Sequence, residues 1–379
     1  MIVYPVKHSP LLRQPERFID RDELKRLIHI LTDNLINIKD DTGEFLLRLD
    51  DGRVIDTKGW AGWEWTHGIG LYGIYQYYRQ TGNERMCNIV DDWFSARLEE
   101  GTPTKNVNTM CPFLTLAYRY EETRDPRWLP YLERWAQWVM YDMPRTEKRG
   151  LQHITLAEEN HQQLWDDTLM MSVLPLAKIG KLLKRPEYLE EAKYQFMVHT
   201  QYLMERESGL WFHGWSFEGN HNFARARWAR GNSWITMVIP ELLALLDLPE
   251  GDATRCFMLQ VLESQAETLR RLQHDSGLWH TLLDDPDSYT EASATAGIAY
   301  GLLKAVRMRY LDARYAETAD KAVKGIISHI SGDGELRQVS FGTGMGHDLD
   351  FYRRIPLTSM PYGQAMAILC LTEYLLTYL

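Results

Sequence analysis

Apolar positions along this chain fall into two alternating kinds of segment. One kind is amphipathic, with apolar residues at helical spacing on one face and charges on the other: 20–35, 84–99, 125–140, 185–205, 253–273 and 314–331. The other kind is apolar and rich in small residues: 68–80, 112–122, 167–183, 233–246, 294–310 and 363–377. A helix with one wet face belongs at a surface, and a helix that is apolar nearly all round belongs inside. The pattern predicts six helix pairs, each with an outer and an inner member.

Short glycine phrases mark the same period: Arg149-Gly150-Leu151, Ser208-Gly209-Leu210-Trp211, Ser276-Gly277-Leu278-Trp279 and Asp333-Gly334-Glu335, with Thr42-Gly43-Glu44-Phe45 as a further member. From Gly150 to Gly334 they recur roughly 60 residues apart, and fixed-period repetition is the mark of stacked or closed helical architectures. An open solenoid of the same pairs is the alternative. Gly68, Gly70 and Gly73, with Ala294, Ala296, Gly297, Ala299 and Gly301, favour closure, since they let helices approach one another around a crowded centre. The expected fold is an all-α (α/α)6 barrel in a single domain over 1–379, with short strands as decoration where the glycine phrases bend.

Composition narrows the class without changing this picture. Hydrophobic residues make up 45% and charged residues 25% of 379, as in an ordinary folded protein. A formal net charge of −10 argues against general nucleic-acid or anionic-membrane binding. An anionic substrate would need local basic residues. Cys87, Cys111, Cys256 and Cys370 form no CxxC pair and read as reduced, buried thiols. The opening residues 1–10 lack the apolar stretch of a signal peptide, and no apolar run is long enough to span a membrane. A cytoplasmic location is expected.

If the inner helices run the same way round a ring, the residues ahead of them line one cavity. Those heads hold Trp63-Glu64-Trp65-Thr66-His67, Asn106-Val107-Asn108, Trp165-Asp166-Asp167, Trp228-Ala229-Arg230-Gly231-Asn232-Ser233-Trp234, Tyr289-Thr290-Glu291 and Tyr362-Gly363-Gln364. Trp65, His67, Asn108, Trp165, Trp228 and Trp234 are candidate substrate contacts there. Trp at 13 and Tyr at 20 outnumber Phe at 11, which favours rings with a polar handle, as a sugar-stacking cleft needs. Adjacent carboxylates at a helix start, Asp166 and Asp167, ordinarily cap it. Arg230, between two indoles at another helix head, suits a carboxylate-bearing ligand; an ion pair with a nearby acid is the plainer reading. His153, His161, His213, His221, His280 and His347 fall in the head-side loops, without HExxH or a tight Cys/His cluster, so no metal is expected. Asp284-Asp285-Pro286-Asp287 and His347-Asp348-Leu349-Asp350 lack calcium-loop spacing. There is no P-loop, Rossmann fingerprint or GxSxG elbow, so no cofactor is expected and serine hydrolysis has no support.

Three motifs, Leu164-Trp165-Asp166-Asp167-Thr168, Arg227-Trp228-Ala229-Arg230-Gly231-Asn232-Ser233-Trp234 and Gly342-Thr343-Gly344-Met345-Gly346, stand in an order that resembles the unsaturated rhamnogalacturonyl hydrolases, glycoside hydrolase family 105. The resemblance runs from the Trp63 region to the Tyr362 helix. It implies an (α/α)6 barrel acting on unsaturated galacturonyl-rhamnose fragments of pectin. It places the catalytic acid on Asp167, two residues after Trp165, with Asp166 as cap or supporting partner. Trp228, Arg230 and Trp234 become substrate contacts, and the family's loop histidine falls on His213. Two departures stand out: Asn108 occupies a head where relatives carry aspartate, and 150–164 lacks a lysine that some relatives have.

The partner so implied is a small anionic oligosaccharide. Its unsaturated residue is an enol ether, open to protonation at C4 by one acid, after which water adds at C5 and the hemiketal expels the aglycone. Burial against Trp165 and repulsion from Asp166 are expected to raise the Asp167 pKa, against the helix dipole. An inverting glycosidase, a sugar epimerase and a non-catalytic glycan-binding scaffold are the other readings of the same fold.

Overall fold

The computed structural model describes residues 18–40, 42–48, 52 and 54–378, so the opening 1–10 segment lies outside the described residues. The chain begins with α1 (Arg21–Asn37), a hairpin of β1 (Leu46–Arg48) and β2 (Val54–Asp56), α2 (Trp65–Thr81) and α3 (Glu84–Glu100). Next come α4 (Val107–Met110), α5 (Phe113–Thr123), α6 (Leu129–Gln137), β3 (Gln163–Trp165), α7 (Leu174–Leu183) and α8 (Pro186–Leu203). The rest comprises β4 (Gly214–Ser216), α9 (Ala229–Leu246), α10 (Ala253–Leu272), β5 (Trp279–His280), β6 (Thr290–Glu291), α11 (Ala292–Arg307), α12 (Tyr315–Ser328), α13 (Leu349–Arg353) and α14 (Pro361–Tyr378).

The inner helices close into a ring. Helix α2 packs on α5, α5 on α7, α7 on α9, α9 on α11, α11 on α14, and α14 returns to α2. Outer helices α3, α6, α8, α10, α12 and α1 lie against α2, α5, α7, α9, α11 and α14 respectively. This is an (α/α)6 barrel, and the return of α14 to α2 removes the open solenoid. Three outer helices carry ordinary polar caps: Asp20, Asn83 and Asp252 accept from the backbone N–H of Glu23, Met86 and Arg255. Each such cap contributes about 1 kcal/mol.

The glycine phrases weld one repeat to the next. Gly209, Gly277 and Gly334 all have left-handed φ, at 73°, 90° and 83°. A Cβ on Gly209 would collide with the backbone of Ser264 in α10, one on Gly277 with the Lys321 carbonyl in α12, and one on Gly334 with the Ile30 carbonyl in α1. The last contact joins the end of the ring to its beginning. In the Gly150 phrase the left-handed residue is instead Arg149, at φ 60°.

The third inner helix departs from the expected span. Residues 167–183 do not form one α-helix, because Leu169–Val173 is a π-helical turn and α7 starts after it. Pro175 has no N–H to donate within the helix, and the wider turn, in which the Leu174 N–H reaches the Leu169 carbonyl, accommodates it. Asp167 lies in the turn after β3 at the head of this helix, its carbonyl accepting from the N–H groups of Met170 and Met171 at 3.0 and 2.9 Å. The short strands are two-stranded antiparallel pairs, and β3 with β4 sets Trp165 opposite Gly214.

All four cysteines are free. Among the described residues no helix is long and apolar enough to cross a membrane.

Candidate active site

The inner-helix heads surround a cavity of about 680 Å³, within the usual range for a small-ligand site. Asp167 reaches it from the β3 turn, Glu64 and Trp65 from the head of α2, Asn108 from α4, and Trp228, Arg230 and Trp234 from the head of α9. Trp165 and His153 form part of the wall, and the Gly342-Thr343-Gly344-Met345 segment forms another part.

Asp167 sits in a dry setting. Its side chain is 18% exposed and its Oδ1 lies 3.3 Å from His153 Nδ1. The His153 ring lies on the Trp165 indole, centroids 4.1 Å apart and planes 4° apart. Burial holds His153 neutral, with a pKa lowered to about 3, so it offers Asp167 no charge. Loss of water raises the Asp167 pKa to about 7, against the backbone N–H groups of Asp167 and Thr168 and the charge of Arg230.

Asp166 is fully buried behind the cavity wall, and neither carboxylate oxygen has a well-formed hydrogen bond. It caps no helix. It fills the space left by Gly231, where a Cβ would collide with its carboxylate. Desolvation and then the Asp167 charge push its pKa well above the carboxylate range. The expected repulsion therefore acts in the opposite sense: Asp166 keeps its proton, and burial is what raises Asp167.

His213 and His67 stand outside the cavity wall. His213 Nδ1 is 2.8 Å from the Tyr352 hydroxyl, and the ring packs between Trp165 and Trp228. The Asp166 N–H donates to its carbonyl at 3.1 Å, so His213 braces the Asp166–Asp167 turn from behind. His67 is a buried link: its Nε2 is 2.8 Å from the Gly59 carbonyl and its Nδ1 accepts from the Glu64 N–H at 3.1 Å. Burial lowers its pKa to about 4.

Arg230 is 1% exposed in its side chain and lies 3.6 Å from the equally buried Glu291. It donates to the Ser340 carbonyl and hydroxyl at 3.0 and 2.7 Å, the Phe341 carbonyl at 3.0 Å and the Thr343 hydroxyl at 3.0 Å. The ion pair with a nearby acid is what the structure shows. The guanidinium holds the glycine-rich wall segment in place, and its field still reaches Asp167. Trp65 stacks on Tyr362 at 4.8 Å and meets Trp234 edge-on at 5.6 Å, so the wall offers aromatic faces beside the acid.

A second cavity, of about 470 Å³, opens at the opposite end of the barrel, where the charged side chains are engaged by neighbours, Lys181 by the Leu245 carbonyl at 2.8 Å. Lys178 pairs with Glu121 at 2.6 Å and Lys304 with Glu241 at 2.5 Å. Among the described residues no cluster of His, Cys, Asp or Glu could hold a metal ion.

The sequence profile of Glycosyl Hydrolase Family 88 matches residues 37–378. The chain belongs to glycoside hydrolase family 88/105. Over 320 residues, covering 83% of this chain and 90% of its relative, it is 32% identical to the unsaturated rhamnogalacturonyl hydrolase YesR of Bacillus subtilis. A solved structure described as a possible GH105 family member from Salmonella enterica is 73% identical, with TM-score 0.96 over 100% of both chains. A family 105 glycoside hydrolase of C. acetobutylicum, 23% identical, shares the fold with TM-score 0.75 over 82% of this chain and 93% of the other.

This family 88/105 chain is thus a glycosidase. Several wall residues escaped selection from its sequence, Glu64 and His153 among them. Glu64 stood in view between two tryptophans, but carboxylates at helix heads usually cap. His153 was one loop histidine among six, and only the fold of the 143–163 loop brings it onto Trp165.

Proposed function

We propose that this enzyme removes the unsaturated galacturonyl residue from unsaturated rhamnogalacturonan oligosaccharides by hydrating its C4=C5 double bond, with Asp167 as proton donor. The observation that carries this reading is a cavity-facing carboxyl whose pKa, raised by burial to about 7, leaves it substantially protonated at neutral pH. Protonated Asp167 gives its proton to C4, and the cation at C5 is shared with the ring oxygen. The resulting carboxylate takes a proton from water as that water bonds to C5. The product is a hemiketal, which opens and releases the aglycone.

One working acid suffices for this route, whereas direct glycosidases ordinarily need two carboxyls at a set separation. Asp166, kept neutral, adds no negative charge to oppose the loss of a proton from its neighbour. The name of the Bacillus subtilis relative supports the substrate class. Four unpaired cysteines suit a cytoplasmic setting.

The test is incubation with an unsaturated galacturonyl-rhamnose disaccharide, followed by ultraviolet absorbance and mass. Loss of the chromophore with release of free rhamnose is expected. Sugar release with the chromophore intact would sink the hydration route.

A further inference from the structure

Glu64 is a carboxyl for which the steps above have no use. It is partly exposed to the cavity, otherwise enclosed by protein, and hydrogen-bonded by the Asn108 side chain and the Trp65 N–H. No cation among the described residues contributes to its setting. As the N-cap of α2, Glu64 forms a capping box with His67, and it also faces a ligand cavity between aromatic walls.

Its place along the ring is informative. Helix α5 lies between α2 and α7, and α7 lies between α5 and α9. Arg230, Asp167, Asn108 and Glu64 therefore succeed one another round the cavity. An unsaturated uronate has the same succession: a carboxylate on C5, the C4=C5 bond, then hydroxyls on C3 and C2. With C4 at Asp167 and the acid group toward the field of Arg230, the hydroxyls face Asn108 and Glu64. A carboxylate accepts hydrogen bonds and an amide both donates and accepts, which together suit a pair of neighbouring hydroxyls.

We propose that Glu64, braced by Asn108, is a specificity-determining residue that accepts a hydrogen bond, as the carboxylate, from a ring hydroxyl on C2 or C3 of the unsaturated sugar. This rests on the reading of the substrate given above. Other groups face the same space: Cys111 behind Glu64, Asp167 and His153 from the β3 side, Glu158 from the loop before β3, Arg230 from α9, and His347. Of these, Asp167 shares the neutral titration range of Glu64, about 7 for each. A working Glu64 must be ionised and a working Asp167 protonated, so kcat/KM should peak near neutral pH and fall on both sides.

The experiment compares wild type with E64Q on the unsaturated galacturonyl-rhamnose disaccharide and on its 2-deoxy and 3-deoxy forms, recording kcat/KM against pH. E64Q keeps the size of the side chain and its contact with Asn108. It should lose about 10- to 100-fold on the parent sugar, the size of a hydrogen bond to a charged group, and should lose the acid-side fall in rate. On one deoxy sugar the penalty should shrink to within about threefold, because the bond is already absent. Wild-type rates and an unchanged acid limb in E64Q overturn the assignment, as does an equal penalty on all three sugars. If E64Q does not fold, wild type decides: one deoxy sugar must lose about 10- to 100-fold and its acid limb. Wild type inactive on the parent sugar overturns the reading of the substrate, whereas an active wild type beside an unaffected E64Q overturns only the role of Glu64.

Discussion

His153 lies flat on Trp165, ring centroids 4.1 Å apart and planes 4° apart, with its Nδ1 3.3 Å from Oδ1 of Asp167. The stack shuts water away from one side of the acid and keeps the histidine neutral. Desolvation rather than a charged neighbour therefore prepares Asp167 to hold a proton. His153→Ala opens that side. It should bring the alkaline limb of the pH–rate profile below its wild-type position and cut turnover by about tenfold or more. An unshifted limb would show that the stack does not control the acid.

Asp167→Asn keeps shape and removes the transferable proton. Turnover on the unsaturated disaccharide should fall by about three or more orders of magnitude with little change in binding, within the upper range for acid-base groups and transition-state electrostatics. Steady-state rates and calorimetric titration of the variant check this. Near-wild-type turnover would remove Asp167 from the role.

The same carboxyl sets a pH dependence of stability. Its folded-state pKa of about 7 lies above the ordinary 3.8. The folded protein thus binds the proton more tightly than the unfolded chain, and the associated stability is fully present below the unfolded value. It is lost as pH rises through the folded value. Asp167→Asn carries no such loss. Its melting temperature should rise relative to wild type between pH 5 and pH 8, and a constant difference across that range would contradict the assigned shift.

Gly231 and Asp166 share one space. Gly231→Ala drives a methyl group into the Asp166 carboxylate and should destabilise by about 1–3 kcal/mol. In an Asp166→Ala background the same change should cost much less, a coupling read by denaturant melts of the four proteins. Additive costs would show that the collision is relieved elsewhere.

Arg230→Lys retains a charge beside Glu291 but cannot hold Ser340, Phe341 and Thr343 together, because an ammonium lacks the planar fork. Hydrogen exchange across 340–346 should quicken, and kcat/KM should drop by about tenfold or more. Unchanged exchange would mean that the segment is held by other contacts.

Much of this was legible in the chain. Helix pairs follow from periodicity because an apolar stripe must be buried wherever it occurs, and the repeat follows from glycines that need left-handed φ. The Trp165-Asp166-Asp167 stretch stood out by its chemistry alone, and most of the aromatic head residues were visible once the heads were aligned. Tertiary structure decided the rest. Closure of the ring is the return of α14 to α2, with Gly334 meeting Ile30 across about 300 residues of chain. Whether a carboxyl is a cap, a buried neutral group or a working acid depends on how much water and charge its distant neighbours leave it. Asp166, Asp167 and Glu64 are all carboxyls in the sequence; the family resemblance singled out Asp167, and the fold shows one held behind Gly231, one against a His153–Trp165 stack and one beside Asn108. The desolvation that sets their protonation is a property of the assembled cavity, and no local segment contains it.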